Sequence, residues 1–208
     1  MYSPPAFRNV DERAAFDFIA EHGFAVLTSV NEGRPFVSHL PMIADPARRV
    51  VRGHLARANP QASVLDGRLC VAAFIGPNAY VSPDWYGDAE QVPTWNYIAA
   101  HVEGAARVVA EPGVVDRILE ELSDRHENRR RDLDVGKIWK MSKLPAEKLV
   151  KMRAAIVAFE IDIERIELKE KLSQNKTADD AEAVASKLAT GDESARAVAA
   201  AIRAARRR

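Results

Sequence analysis

The sequence predicts a mainly antiparallel β fold with flanking helices. Two observations point to it. Six or seven short runs rich in apolar and β-branched residues recur between Phe24 and Leu168. They are separated by turn signals such as Asn31-Glu32-Gly33-Arg34, Asp45-Pro46 and Gly76-Pro77-Asn78, not by regularly spaced helices. Strands joined by turns argue for an antiparallel barrel and against a doubly wound parallel sheet.

Each element follows from local pattern. Residues 11–22 have helical spacing, with Asp11 as N-cap, Phe16, Ile19 and Ala20 as the apolar stripe, and Gly23 as the stop. FAVLTSV at 24–30 reads as a strand and PFVSHLPMIA at 35–44 as its hairpin return. Pro35 and Pro41 cannot donate to a ladder, so the return is expected to have an edge-like or bulged section. RVVRGHL at 49–55 is a third strand, and residues 57–67 form a short helix with Pro60 in its first turn and Gly67 at its close. LCVAAFIG at 69–76 is an almost unbroken apolar run, expected to be buried on both faces. A turn at Gly76-Pro77-Asn78 and a short strand, AYVS, follow it. Residues 82–97 read as loop. The strand at 98–110 has Gly104 in its middle, the mark of a bulge or a close approach. Val115, Ile118, Leu119 and Leu122 make 112–126 an amphipathic helix. The connection 126–136 is charged, and its Arg129-Arg130-Arg131 run reads as solvated surface; a short helix follows Pro145. Val157, Phe159, Ile161 and Ile163 alternate in one phase, Ile166 and Leu168 in the other, so a β-bulge is expected near Glu164-Arg165. From Ala178 the chain reads as one or two helices broken at Gly191-Asp192.

Composition bounds the function. The 208 residues, 47% hydrophobic and 29% charged, suit one globular domain with a small appendage, 1–176 and 177–208. The formal net charge of +0 means that nucleic-acid binding would rest on a local patch. A lone Cys70, inside an apolar run, excludes an internal disulfide framework and a Cys-rich zinc site and reads as a small core residue. No leader-like segment and no run near the ~18 apolar residues of a membrane span is visible, so a cytoplasmic protein with no membrane partner is expected.

The common catalytic motifs GxGxxG, GxxxxGK[ST], GxSxG and HExxH are absent. His22, His39, His54, His101 and His126 show no helical ligand spacing, so no metal site is expected. Three segments stand apart. GHLARANPQ at 53–61 passes from a strand into a helix start. Free N–H groups there plus a guanidinium would suit a phosphate or carboxylate; the alternative is a capped helix with Arg57 in solvent. Trp85, Tyr86, Trp95 and Tyr97 must pack on the core, on a second subunit or on a flat ligand. KEKLSQNK at 169–176 is either a solvated loop or a polar lid.

GHLARANPQ, FIGPNAYVSPDWY, VPTWNYIAAHVEG and KLSQNK, in that order, resemble the PaiB family, described as FMN-binding negative transcriptional regulators. The resemblance runs from Met1 to about Leu188 and is weakest in the Ala- and Arg-rich end; Ala62 and Ser63 stand where family members often carry an aromatic. It implies an FMN-binding split β-barrel of the flavin-reductase and pyridoxamine-phosphate-oxidase type, and a homodimer with FMN at the subunit interface. The implied phosphate site is His54, Leu55, Ala56, Arg57, Asn59 and Gln61, with Arg57 and Asn59 foremost. Ser38, His39 and Leu40 would line the isoalloxazine edge through backbone groups, Trp95, Asn96 and Tyr97 would border the ring, and Lys171, Ser173, Gln174 and Asn175 would close the site from one subunit. No catalytic residue is assigned; His39 and His101 are the nearest candidate bases, and each reads equally as structural. The expected role is a transcriptional regulator or a flavin-dependent redox or sensing protein. A haem-binding split barrel and a flavin-dependent oxidoreductase with no DNA role are the alternatives. No helix-turn-helix is visible, so direct DNA binding would fall to Arg129–Arg131 or to Arg196, Arg203, Arg206, Arg207 and Arg208.

Overall fold

A computed structural model describes residues 1–87, 90–132 and 138–207. Its elements are β1 (Arg8–Asn9), α1 (Glu12–Glu21), β2 (Phe24–Asn31), β3 (Arg34–Pro41), β4 (Ile43–Asp45), β5 (Val50–Ala56), α2 (Pro60–Val64), β6 (Leu69–Val81), β7 (Thr94–Val109), α3 (Pro112–Glu127), α4 (Ala146–Ala154), β8 (Ile156–Asp162), β9 (Arg165–Lys171), α5 (Ala178–Leu188) and α6 (Glu193–Ala205). They fall into two units. One comprises Met1–Phe18, Ile75–His101 and Glu167–Arg208, the other Ile19–Phe74 and Val102–Ile166.

In the unit holding Ile19–Phe74, Glu32 at φ 51° and Gly33 at φ 76° close the β2–β3 hairpin. Two consecutive left-handed residues give the turn whose twist matches paired strands. The strand order is β3-β2-β6-β7-β8-β5-β4, which leaves β3 at one end. Registers Leu27↔Ser38 and Leu27↔Ala72 set which side chains share a face. Ala25, Leu27, Leu40, Cys70, Ala72 and Phe74 are buried on one face, whereas Phe24, Val30, Val37 and Leu69, on the other, are more than half exposed. β3 is the end strand of that order, in keeping with Pro35 and Pro41 within it; Pro41 ends it, and after Met42 the chain pairs with β5 through Ile43↔Arg52. Gly104 answers a close approach. A Cβ there would lie 1.8 Å from the Asp162 carbonyl oxygen, a backbone atom that cannot step aside. Helix α3, whose N-cap Glu111 accepts from the Gly113 and Val114 N–H groups, packs Val115, Ile118 and Leu122 against Ile43, Val109 and Ala158.

In the other unit, β1 pairs with β9 through Arg8↔Lys169. Helices α5 and α6, capped by Thr177 and Asp192, bury Ala181, Val184, Leu188, Val198 and Ile202 with Ala79, Val81 and Leu172. The Ala-rich tail is therefore a packed helical hairpin.

Four expectations are corrected. The run 69–76 is buried on one face only, because β6 lies in an antiparallel ladder with Leu69 and Ile75 turned outward. Gly76-Pro77-Asn78 does not turn, and β6 runs on to Val81. Its pairing with β2 stops at Phe74, so Pro77 falls where no β2 ladder bond is forfeited. Thr94–Tyr97, read as loop, begins β7. The phase change at Glu164 is a break and not a bulge: β8 pairs with β5 and β7, β9 with β1 and β7. The two-residue β1 was invisible to periodicity.

Candidate functional site

Two clusters of expected residues form, one in each unit. In the first, Asn59 does two jobs. Its Oδ1 accepts from the Gln61 N–H at 2.9 Å, and its Nδ2 donates to Ser38 Oγ at 2.9 Å, which ties the β5–α2 passage to β3. Gln61, 1% exposed, donates Nε2 to Ser29 Oγ at 3.0 Å, with the Leu27 and Phe36 carbonyl oxygens each at 3.4 Å. Its Oε1 is buried and meets no hydrogen-bond partner, and neither does His54 Nδ1. Burial holds the His54 pKa below its ordinary value. Ser38 and Leu40 face inward while His39 is exposed on the other face of β3. Leu55 is core, and Ala56 is exposed opposite Ile156.

Arg57 turns elsewhere. Its Nε donates to the Ala154 carbonyl and its Nη2 to the Ile156 carbonyl, each at 2.6 Å. The expected free N–H groups at this helix start are also engaged. Those of Arg57, Asn59 and Ala62 donate to the carbonyls of Ala155, Ala56 and Asn59, and that of Gln61 to the Asn59 side chain. The helix that follows spans only five residues.

In the other unit, buried Asn96 donates Nδ2 to Ser173 Oγ at 2.8 Å. Ser173 is left-handed at φ 61°. Gln174 bridges the turn, accepting from the Leu172 N–H at 2.8 Å and donating to the Glu170 carbonyl at 2.5 Å. Lys171 donates to Thr94 Oγ1, and Lys176 reaches Gln91 and lies over the Tyr86 ring. Arg206 Nη2 donates to the carbonyls of Ser173, Lys176 and Thr177 at 3.3, 2.5 and 2.8 Å. KLSQNK is thus an internally braced turn and not a solvated loop; of its implied site residues only Asn175 is exposed.

The aromatic segment divides. Trp85 and Tyr86 pack on the α5–α6 core. Trp95 is 53% exposed and sits edge-to-face on Tyr80, with ring centroids 6.1 Å apart. Tyr97 lies against Lys169, whose Nζ is 5.2 Å from the ring centroid and donates to the Tyr2 carbonyl at 3.0 Å. Lys169 is 7% exposed, a burial that sequence reading missed because KEK in a polar strand reads as surface.

Neither basic run is a free array. Arg129 donates to the carbonyls of Ala20 and Glu21, and Arg130 pairs with Glu127 and Asp132, with Arg129 and Arg131 exposed at the surface. Arg203 pairs with Glu182 at 2.6 Å, and Arg196 and Arg207 donate to backbone carbonyls; Arg208 and residues 133–136 of the charged connection lie outside the described residues. Among the described residues no group of three His, Cys, Asp or Glu could hold a metal. Cys70 is buried, and burial pushes its thiol up to about 11.

The family model "Putative FMN-binding domain" matches residues 1–165. The chain belongs to this family. Protease synthase and sporulation protein PAI 2 of Bacillus subtilis is 32% identical over 183 residues, 86% of this chain and 85% of that protein, which agrees with the PaiB motifs. Protein AN0679 of Emericella nidulans is 29% identical over 182 residues, 73% of this chain and 72% of its own. Among solved structures, the FAD and heme binding protein from Mycobacterium smegmatis superposes with a TM-score of 0.61 at 16% identity, covering 89% of this chain and 80% of that one. The flavocytochrome Anf3 from Azotobacter vinelandii gives 0.59 at 13% identity, covering 79% of this chain and 69% of that one. At such identities the likeness is one of fold. This FMN-binding family member is a split-barrel protein, mainly antiparallel with flanking helices, and FMN is its cofactor. No described helix is long and apolar enough to cross a membrane.

Proposed function

We propose that the chain is a flavin-dependent redox or sensing protein that works as a homodimer, with FMN along the free edge of β3 and its phosphate beside Arg57–Gln61. One observation carries this reading: Asn59 pins the β5–α2 passage to Ser38 on a strand that, among the described residues, ends the sheet order. An edge strand leaves backbone donors and acceptors unpaired, which suits the polar rim of an isoalloxazine ring. Exposed Arg57 supplies positive charge, and the unpartnered Gln61 Oε1 and His54 Nδ1 mark a polar frame that the protein alone does not satisfy. Bound FMN supplies the electron chemistry, and the protein supplies orientation and polarity.

The exposed apolar residues Phe24, Val30, Val37 and Leu69 lie on one sheet face, and a face of that kind marks an interaction surface. We assign it to a twofold contact with a second copy. We assign the regulatory role that the PaiB resemblance implies to a response to flavin state. The visible spectrum of the purified, FMN-supplemented protein tests the cofactor: two flavin bands are expected in the near-ultraviolet and blue, and a single intense violet haem band would overturn it.

A further inference from the structure

Arg57 is tied to one junction three times. Its backbone N–H donates to the Ala155 carbonyl at 2.8 Å, and its Nε and Nη2 donate to the Ala154 and Ile156 carbonyls at 2.6 Å each. These carbonyls belong to the last residue of α4, the residue that follows it and the first residue of β8. The end of a helix carries its negative pole, which suits a guanidinium. A guanidinium has five N–H donors. Two are engaged at the junction, so three remain on a residue that is exposed.

The junction is itself strapped. Arg153, the neighbour of Ala154, donates Nη1 to Asp116 Oδ2 at 3.0 Å. Asp116 lies on α3, which is packed on the core through Val115, Ile118 and Leu122. Helix α4 is otherwise weakly anchored. None of its nine residues is buried, and Val150 and Met152 are 57% and 41% exposed. A helix this short is marginal alone and is normally held by burying an apolar stripe. The Asp116–Arg153 strap therefore fixes the chain beside the carbonyl that holds Arg57.

Resting on the reading that Arg57 receives the FMN phosphate, we propose that Asp116 and Arg153 are positioning residues for that contact. They hold the α4–β8 junction, and the junction holds the guanidinium. Its three remaining donors then meet the phosphate with side-chain freedom already lost. The pair thereby sets the preference for phosphorylated over unphosphorylated flavin. Coupling of this kind is reciprocal. A bound phosphate orders α4 in turn, and the helix registers whether the bound flavin carries one.

FMN and riboflavin are titrated calorimetrically into the full-length apoprotein, as wild type and as Asp116→Ala. Alanine suits a helix interior, and riboflavin binding checks that the variant folds. Asp116→Ala should narrow the FMN preference by about three- to ten-fold and leave riboflavin unchanged. A simple field effect has the opposite sign, because removing an acid beside Arg153 would tighten FMN. Added to Arg57→Ala, the same change should have no further effect on the preference. In wild type, FMN should slow amide hydrogen exchange over residues 149–154, and riboflavin should not. The proposal is overturned by an unchanged or wider preference in Asp116→Ala, by equal losses for the two flavins, by additive losses in the double variant, or by α4 exchange that FMN leaves unchanged or speeds. If Arg57→Ala keeps the FMN preference, the phosphate site itself falls. If Arg57→Ala erases it and Asp116→Ala does not narrow it, the site stands and the positioning falls.

Discussion

Glu160 is 1% exposed yet ionic. It accepts from Arg48 at 2.8 and 2.9 Å and from Arg107 at 2.6 Å. The Arg48 guanidinium above all holds its carboxyl below the usual carboxylate range; burial opposes this and Arg107 adds to it. The two arginines are half exposed, 49% and 53%, so the partners are not equivalent. Removing the acid returns two cations to water, whereas removing both arginines strands a buried carboxylate. Glu160→Gln should therefore cost about 1 kcal/mol and Arg48→Ala with Arg107→Ala about 3–5 kcal/mol. Urea denaturation checks the order, and a reversed order would refute the asymmetry. His54 acts in the neighbouring pH range. Its folded pKa is lowered, so the unfolded chain binds the proton first, and stability falls as pH drops below about 6.5. His22 contributes with the same sign. His54→Asn should flatten the loss between pH 7 and 5, leaving the His22 share; an unchanged slope would show His54 to be solvated.

Elements were legible where local chemistry and tertiary pairing agree. The Asn31–Arg34 turn, the Asp11 cap, the α3 stripe and the break at Gly191-Asp192 before α6 are all local signals that pairing leaves intact. They failed where a partner strand overrides the chain's own signal: Pro77 reads as a turn, but the long β6 absorbs it beyond the end of its β2 register. The candidate site was legible only through motif resemblance. Nothing local shows that Asn59 meets Ser38, 21 residues earlier, or that Arg57 turns from Asn59 toward the α4–β8 junction. The tail makes its own prediction. Arg206, just past α6, is the donor that three carbonyls of the 173–177 turn share. Arg206→Ala should destabilise by about 1–3 kcal/mol and speed tryptic cleavage after Lys176. Cleavage at the wild-type rate would show that the turn holds itself.

At the scale of the whole molecule, assembly and cofactor are the claims at stake. Val37 is 56% exposed on the outward face of β2, β3 and β6, where a carboxylate costs the single chain little. Val37→Glu should convert a dimer near twice 23.0 kDa into a folded monomer by light scattering; a wild-type protein already monomeric at micromolar concentration would refute the twofold contact. The flavin claim is tested most directly by titrating apoprotein with FMN and with riboflavin, which lacks the phosphate, in wild type and Arg57→Ala. In wild type, FMN should bind more tightly than riboflavin by roughly ten- to a hundred-fold, the worth of a charge-assisted phosphate contact. Arg57→Ala should erase most of that gap while leaving riboflavin unchanged. Equal affinities for the two flavins in wild type, or equal losses for both in the variant, would contradict a phosphate site at Arg57–Gln61.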